Sequence, residues 1–402
     1  MKKNFWIRIE IVVITIVAWA VLDCVIVKMW QYWQPWGFDN DRLVCVDAIK
    51  RHAGDVYLQD KEYKQLMEKL QQLPEVESLC QYAGIGNGGS TYMNYVLNED
   101  TVSLHVSCTS AENPGFSTYG IKVIEGDVSD ILSVYDNQFL PVAITRSTAV
   151  KFYGTTKVIG RIFTDSRGET KYRIIAVVED IRHKIFSQAT CGIIEFLPIF
   201  NNGTSRKYTL CLRLRSDMNP RRFLAEYTHR LNSQEFQTES YYLRNFMTFK
   251  DMQRINGENE IQQVRYYLIM TIFFFISLCL GTIGTFWMQT KRRTDEIAIR
   301  RAFGATRWHI LGMFLREGAI LTTISAVLGY AIQLNYLMKY NNWDKDYCSW
   351  EESLTTPWFL NFSTHFTVVS ILIYLLLLTV VSIGIAIPAW RASRTHIVDT
   401  LK

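Results

Sequence analysis

The residues whose types and spacing best suit a chemical task lie between Gln289 and Leu315: Arg293, Thr294, Glu296, Ile297, Arg300, Arg301, Gly304, Ala305 and Arg307. The task is recognition rather than catalysis. Thr294 is a helix-capping type, Asp295 and Glu296 put negative charge in a first turn, and Arg300 and Arg301 put positive charge in a last one. Gly304 is the residue type expected just past a helix end. Glu296 and Arg300 stand four apart in the favourable order, and Ile297 and Arg301 form a neighbouring stripe. The pattern predicts a short basic helix joining two long apolar segments, as a cytoplasmic connection does under the positive-inside rule. A solvated loop that only satisfies topology is the plain alternative.

Other residues able to do chemistry are sparse. Asp23 lies inside an apolar run, and Arg316 and Glu317 lie near the start of another. Charges so placed face a bundle interior or reach the interface, so Asp23 is expected to snorkel or to pair with another helix. Arg316 and Glu317 are expected to pair with the basic element or a neighbouring helix. The histidines are scattered without metal-ligand spacing, and no nucleophile, base and orienting group cluster in sequence. Gly84-Ile85-Gly86-Asn87-Gly88-Gly89-Ser90 lacks the lysine and the strand-to-helix setting of a phosphate loop and reads as a flexible loop. No GxxxxGK[ST] occurs in the chain. No catalytic residue, bound cofactor or metal is expected.

These residues need membrane elements to position them. Half of the 402 residues are hydrophobic (49%) and a fifth are charged (20%), which fits a few spans plus a large water-soluble domain. Four apolar runs, residues 11–27, 266–288, 308–334 and 366–387, read as membrane helices. The segments Met1–Glu10, Lys291–His309 and Arg391–Lys402 hold 12 basic and 4 acidic residues, more than the whole formal net charge of +5. The basic excess therefore reports orientation, with residues 1–10, 289–307 and 388–402 cytoplasmic, and a nucleic-acid partner is not expected. No small-residue cleavage site follows the first run, and Trp30, Tyr32, Trp33 and Trp36 suit an interface, so it reads as a retained span.

Residues 28–265 then form one extracytoplasmic block, and residues 335–365 a small outer loop. Within the block, Leu43–Ile49, Lys61–Leu73 and Val76–Tyr82 read as strand, helix, strand. Tyr208–Leu214, a helix opened by Asn219-Pro220 and Tyr241–Phe249 repeat the unit. The two units (43–82 and 207–249) suggest a split ferredoxin-like layer interrupted by an inserted subdomain, 83–206. Phe249–Arg265 reads as a helical stalk into the second span. Gly281 and Gly284 fall on one face and can permit close helix contact. Cys45, Cys80, Cys108, Cys191, Cys211 and Cys348 would face an oxidising compartment; six cysteines allow 15 pairings, and buried free thiols are the plain reading.

Arg293 to Arg307, followed by Ile310, Phe314, Leu315 and Glu317, resembles the signature of MacB/FtsX-type ABC transporter permeases. Pro388-Ala389-Trp390-Arg391-Ala392-Ser393-Arg394 and Ile397 to Lys402 resemble the closing motif of that family, with Ile397 where proline is common. Gly126-Asp127, Pro141–Thr145, Ala149–Gly154, Ile159-Gly160 and Tyr172–Asp180 resemble the MacB periplasmic core domain. The resemblance implies that the 289–307 element docks on a separate ABC ATPase that binds the ATP. It also implies a second permease copy or paralogue and a bacterial inner-membrane location in contact with membrane lipid. The expectation is an α-helical, four-span permease with a large α+β extracytoplasmic domain that couples hydrolysis to movement of that domain, for export or extraction of an envelope substrate. Rival readings are an FtsX-like regulator of a cell-wall hydrolase, acting through a periplasmic partner, and a membrane-anchored receptor without an ATPase.

Overall fold

The computed structural model describes residues 5–51, 56–82, 84–86, 91–113, 115–129, 131–134, 138–197, 207–340 and 357–392. In chain order the elements are α1 (Phe5–Tyr32), β1 (Leu43–Lys50), α2 (Val56–Gln71), β2 (Val76–Gln81), β3 (Thr91–Leu97), β4 (Asp100–Ser110), α3 (Phe116–Tyr119), β5 (Val123–Gly126), α4 (Ile131–Val134), β6 (Leu140–Thr145) and α5 (Arg146–Tyr153). There follow β7 (Ile162–Asp165), β8 (Lys171–Val178), β9 (Gly192–Leu197), β10 (Lys207–Leu214), α6 (Pro220–Leu231), β11 (Tyr241–Thr248) and α7 (Phe249–Asn256). The chain ends in α8 (Glu258–Arg292), α9 (Thr294–Ala302), α10 (Arg307–Tyr340) and α11 (Phe362–Ala392). They form two compact units: Met1–Trp30 with Ile261–Cys348 and Pro357–Lys402, and Gln31–Glu260 with Ser349–Thr356.

In the α+β unit, four antiparallel strands lie in the order β11-β1-β10-β2, the order of a split ferredoxin-like layer. Strand alternation decides what each face meets. Val44, Val46 and Ala48 of β1 and Leu210 and Leu212 of β10 bury against Leu66 and Leu70 of α2 and Phe223 and Leu231 of α6. Helix α6 starts where its sequence says it should: the Asn219 side chain accepts from the Arg221 N–H at 2.9 Å, with Pro220 in the first turn.

The alternate residues Leu43, Cys45, Cys80 and Cys211 face the second sheet, packing with Ile175, Ile194 and Phe196. That sheet runs β5-β8-β6-β9-β4-β3-β7, and β7 also pairs with β8, so six strands close on themselves. Strand β8 makes this possible by sharing one edge, with β7 at Lys171–Arg173 and with β5 at Ala176–Val178. Tyr95, Leu104, Val142, Ile144, Ile174 and Ile193 form the buried cluster of these strands.

Among the described residues four helices, α1, α8, α10 and α11, are long and apolar enough to cross a membrane. Each is longer than the apolar run that announces it, because polar and aromatic flanks continue the helix at both ends. The stalk is not one helix. Its first part, α7, is capped by the Thr248 hydroxyl accepting from Asp251 N–H at 3.1 Å and stops at Gly257; a new helix begins at Glu258. Helix packing is close at four glycines, where an added Cβ would overlap a neighbour: Gly318 meets Ile385, Gly384 meets Thr282, Gly281 meets Glu10 and Gly329 meets Thr15. Gly284 differs from the sequence expectation: nothing stands within 4 Å of its Cβ position. The two glycines are three residues apart, which turns them about 60° from one another on a helix and leaves only Gly281 on the packed side.

Candidate functional site

Arg293 is the single residue between α8 and α9. Its N–H donates to the carbonyls of Gln289 (3.1 Å) and Thr290 (3.2 Å), closing α8, and its own carbonyl accepts from Ile297 N–H at 3.0 Å, opening α9. Its guanidinium reaches α10, where Nη1 and Nη2 donate to Glu317 Oε2 and Oε1 at 2.7 and 3.3 Å. This forked, charge-assisted pair fixes orientation as well as distance. Glu317 thus has the partner expected of it. Arg316 does not: it is exposed and makes no ion pair among the described residues.

Helix α9 lies with one face in and one out. Ile297 and Ala298 are buried, Ile297 in the same apolar cluster as Ile310, Phe314 and Ala389. Outward stand Glu296 and Arg300, paired at 2.8 Å, with Ile299 57% exposed and Phe303 88% exposed. Glu296–Arg300 is an exposed helix-surface pair of small energetic weight. Its value is in holding two charges flanking an apolar contact. Ile297, which sequence spacing grouped with Arg301, is therefore an anchor of the element. The exposed apolar groups Ile299 and Phe303 went unread, although an unburied phenylalanine beside a capping glycine is the signal that points to them. The side chains of Thr294, Asp295 and Arg301 lie outside the described residues.

The end of α9 follows its sequence. Gly304 takes φ of 90°, a left-handed value that an L side chain resists, and Ala305 N–H donates to the Arg300 carbonyl at 3.0 Å in a Schellman-type closure. Thr306 then caps α10, its hydroxyl accepting from His309 N–H at 3.2 Å, with Arg307 exposed in the first turn. Trp308 packs on Trp390 with ring centroids 5.4 Å apart, and Arg391 stands over the Trp287 ring at 5.4 Å. The start of α10 and the end of α11 are thereby brought together with the end of α8. Residues 393–402, including Ile397, lie outside the described residues.

At the other end of α1, Asp23 pairs with His365 Nε2 in the first turn of α11, and His365 Nδ1 faces the Phe359 carbonyl oxygen at 2.8 Å. Both side chains are buried. Of the two expectations for Asp23, the structure takes the helix-to-helix pair. His365 was missed because the partners are 342 positions apart and it was assigned to the outer loop.

In the α+β unit, Arg182 is fully buried and its guanidinium donates to the backbone carbonyls of Tyr32, Gln34, Lys184 and Ile185 while stacking on Trp36 at 3.9 Å. Burial pulls its pKa down to about 10. The segment that follows α1 is thus tied to the loop after β8. The same loop meets the end of α7, since a Cβ at Gly257 would stand 2.9 Å from Ile185, and Asn40 donates to Gln253 of α7 at 3.1 Å. The segments flanking the two ends of this unit therefore meet one another. Cys45, Cys80 and Cys211 lie on adjoining strands as free thiols, with Cys45 and Cys211 sulfurs 3.7 Å apart, and Cys348 lies outside the described residues. Burial pushes the Cys45 and Cys80 thiols well above their usual range. Gly84 and Gly86 take left-handed φ, and Gly86 is wedged against Phe38 and Gln253; residues 87–90 lie outside the described residues. Among the described residues no group of three or more His, Cys, Asp or Glu is arranged to hold a metal ion.

The chain is similar to several known proteins. Residues 267–397 match the model of the FtsX-like permease C-terminal family. The chain is 23% identical over 257 residues to the macrolide export ATP-binding/permease protein MacB of Agrobacterium fabrum, covering 61% of this chain and 38% of that protein. It is 25% identical over 236 residues to MacB 2 of Aeromonas hydrophila, covering 57% and 35%. The chain thus spans little more than a third of these relatives. A shorter stretch of 60 residues is 43% identical to the uncharacterized ABC transporter permease YknZ of Bacillus subtilis, covering 14% of this chain and 15% of that one. Among solved structures, the periplasmic region of MacB from Actinobacillus actinomycetemcomitans superposes with a TM-score of 0.34 at 12% identity, over 55% of this chain and 95% of that one. The extracellular domain of YknZ does so at 0.31 and 14%, over 50% and all of that chain.

Proposed function

We propose that the chain is a MacB/FtsX-like ABC permease, as its matches to that family support, and that it transmits ATP-driven motion from a nucleotide-binding partner to its α+β unit, which acts on a substrate in the bacterial envelope. The observation that carries this is the two-faced helix α9, anchored inward by Ile297 and Ala298 and presenting Glu296, Ile299, Arg300 and Phe303 outward. An exposed apolar pair flanked by charges is what a protein partner recognises. Docking there moves α9, and Arg293 passes the displacement to α8 by backbone and to α10 by its fork on Glu317. The ATP is bound by the ATPase, and this chain supplies no catalytic residue.

In this reading α9 and the chain termini are cytoplasmic, the α+β unit is extracytoplasmic, and two permease subunits, identical or paralogous, act together in the inner membrane. The cargo is an envelope molecule engaged by the α+β units, alone or through a periplasmic partner.

The test is co-purification in mild detergent with an ATPase assay on the same fraction. Wild-type protein should bring down an ABC ATPase, and Phe303→Asp should lose it while reaching the membrane at an unchanged level. Retention of the ATPase by Phe303→Asp and Ile299→Asp alike would overturn the docking assignment.

A further inference from the structure

A groove of about 630 Å³ opens along the cytoplasm-proximal part of the membrane unit, between the start of α1 and the first five turns of α10. Arg8, His309, Arg316 and Glu317 line one stretch of it, and Ile320, Leu321 and Ile324 the other. We propose that it holds one anionic phospholipid, its phosphate between Arg8 and Arg316 and an acyl chain along Ile320 and Ile324.

The charge arrangement asks for an anion. Arg8 and Arg316 are exposed and make no ion pair among the described residues. Glu317, the carboxylate in the lining, is already forked by Arg293 at 2.7 and 3.3 Å, so its charge is met. Arg316 lies nine residues into α10, about 13 Å along its axis, where an unmet guanidinium is costly beside hydrocarbon and a phosphate diester is a matching forked acceptor.

The apolar half of the groove argues for a lipid rather than free phosphate. Ile320 and Ile324 follow Arg316 at four-residue steps on the same face and are exposed. From Arg316 to Ile324 is about 12 Å, close to the depth of one leaflet of a bilayer core of about 30 Å. A free phosphate would leave that stripe uncovered, whereas an acyl chain continues along it. A second copy docked here about a two-fold axis would set Arg8 and Arg316 against the same cationic patch, which repels. Cytoplasmic-side basic grooves between membrane helices suit anionic headgroups for these reasons.

The full chain, purified in mild detergent and exchanged into an equimolar mixture of phosphatidylglycerol and phosphatidylcholine, is assayed by native mass spectrometry for retained lipid. Wild-type protein should retain phosphatidylglycerol preferentially. Arg8→Gln/Arg316→Gln should lose roughly tenfold of that retention, while Arg292→Gln, a cation of the same membrane side outside the groove, should not. Ile324→Trp, which fills the apolar part and leaves the cations, should lower it too and covers the case of a double variant that does not fold. Equal retention of the two lipids, or no change in either groove variant, would overturn the proposal. Displacement of the lipid by 50 mM inorganic phosphate would reassign the site to free phosphate, and a disulfide between copies carrying Ile324→Cys would give the groove to a second subunit.

Discussion

Arg293 and Glu317 join the end of α8, the start of α9 and the N-terminal part of α10 through one bidentate ion pair, with side chains 31% and 29% exposed. A pair of that exposure is screened enough to be worth only about 1 kcal/mol of stability. Its geometric role is larger than its energetic one, since losing it frees α9 to pivot about a single residue. Arg293→Glu and Glu317→Arg should each lower the melting temperature by only a few degrees yet, under the proposed function, abolish stimulation of a co-purifying ATPase. The exchanged double variant should recover much of that stimulation. A double-mutant cycle with no coupling energy would remove the pair from the transmission path.

The outward face of α9 makes a contrasting prediction. Phe303 is so exposed that replacing it costs the isolated permease little, within about 0.5 kcal/mol. Ile297→Ala should instead cost about 2 to 5 kcal/mol, because it removes a side chain from the shared cluster with Ile310 and Phe314. Thermal unfolding in detergent separates the two. If Ile297→Ala melts like wild type, the inward anchoring of α9 is wrong.

Glycine packing gives a test internal to the membrane unit. Gly384→Ala puts a methyl against Thr282 and within 3.3 Å of the Cys279 carbonyl, a backbone atom that cannot swing away. It should destabilise by about 1 to 3 kcal/mol. Gly284→Ala meets nothing within 4 Å and gains helix propensity, so it should be neutral or stabilising by up to about 1 kcal/mol. Equal unfolding of the two variants would contradict the helix packing.

What the sequence made legible, and what it did not, follows from range. Caps and turns are local, so Asn219-Pro220 and Gly304 could be read directly, and strand alternation placed the two β-α-β units. Which side of α9 is buried depends on neighbours in α10 and α11, so Ile297 and Ile299, two positions apart and both isoleucine, were indistinguishable. The six-strand closure rests on β8 sharing one edge between β5 and β7, a division no single strand's residues announce. Asp23 was visible as an oddity in an apolar run, but His365 could be linked to it only through the fold.

Arg182 carries a prediction for the α+β unit. Its guanidinium is the shared donor for four backbone carbonyls on two separate segments, so Arg182→Ala leaves several buried acceptors unmet and should cost about 3 kcal/mol or more. Arg182→Lys supplies three donors on a point charge and should recover only part. Hydrogen exchange should quicken in residues 31–38 and 181–187 before the rest of the unit. Unchanged protection there would mean that Arg182 does not hold the segment.

His183 gives the same unit a pH response that can be tested. It is buried, stacked on the buried His105 with ring centroids 3.4 Å apart, and burial first, then His105 and Lys184, hold its pKa well below the usual value of 6.5. A depressed histidine is neutral in the folded state while the unfolded chain takes up a proton below its ordinary pKa. Protons therefore favour unfolding: stability is full above about pH 6.5 and falls, by up to about 1.4 kcal/mol per pH unit for this one group, as pH drops below it. Replacing His183 with Gln removes the titration, so the melting temperature of His183→Gln should fall less steeply than that of wild type between pH 6.5 and pH 5. Parallel curves for the two proteins over that range would show that the stacked pair does not govern the acid sensitivity of the unit.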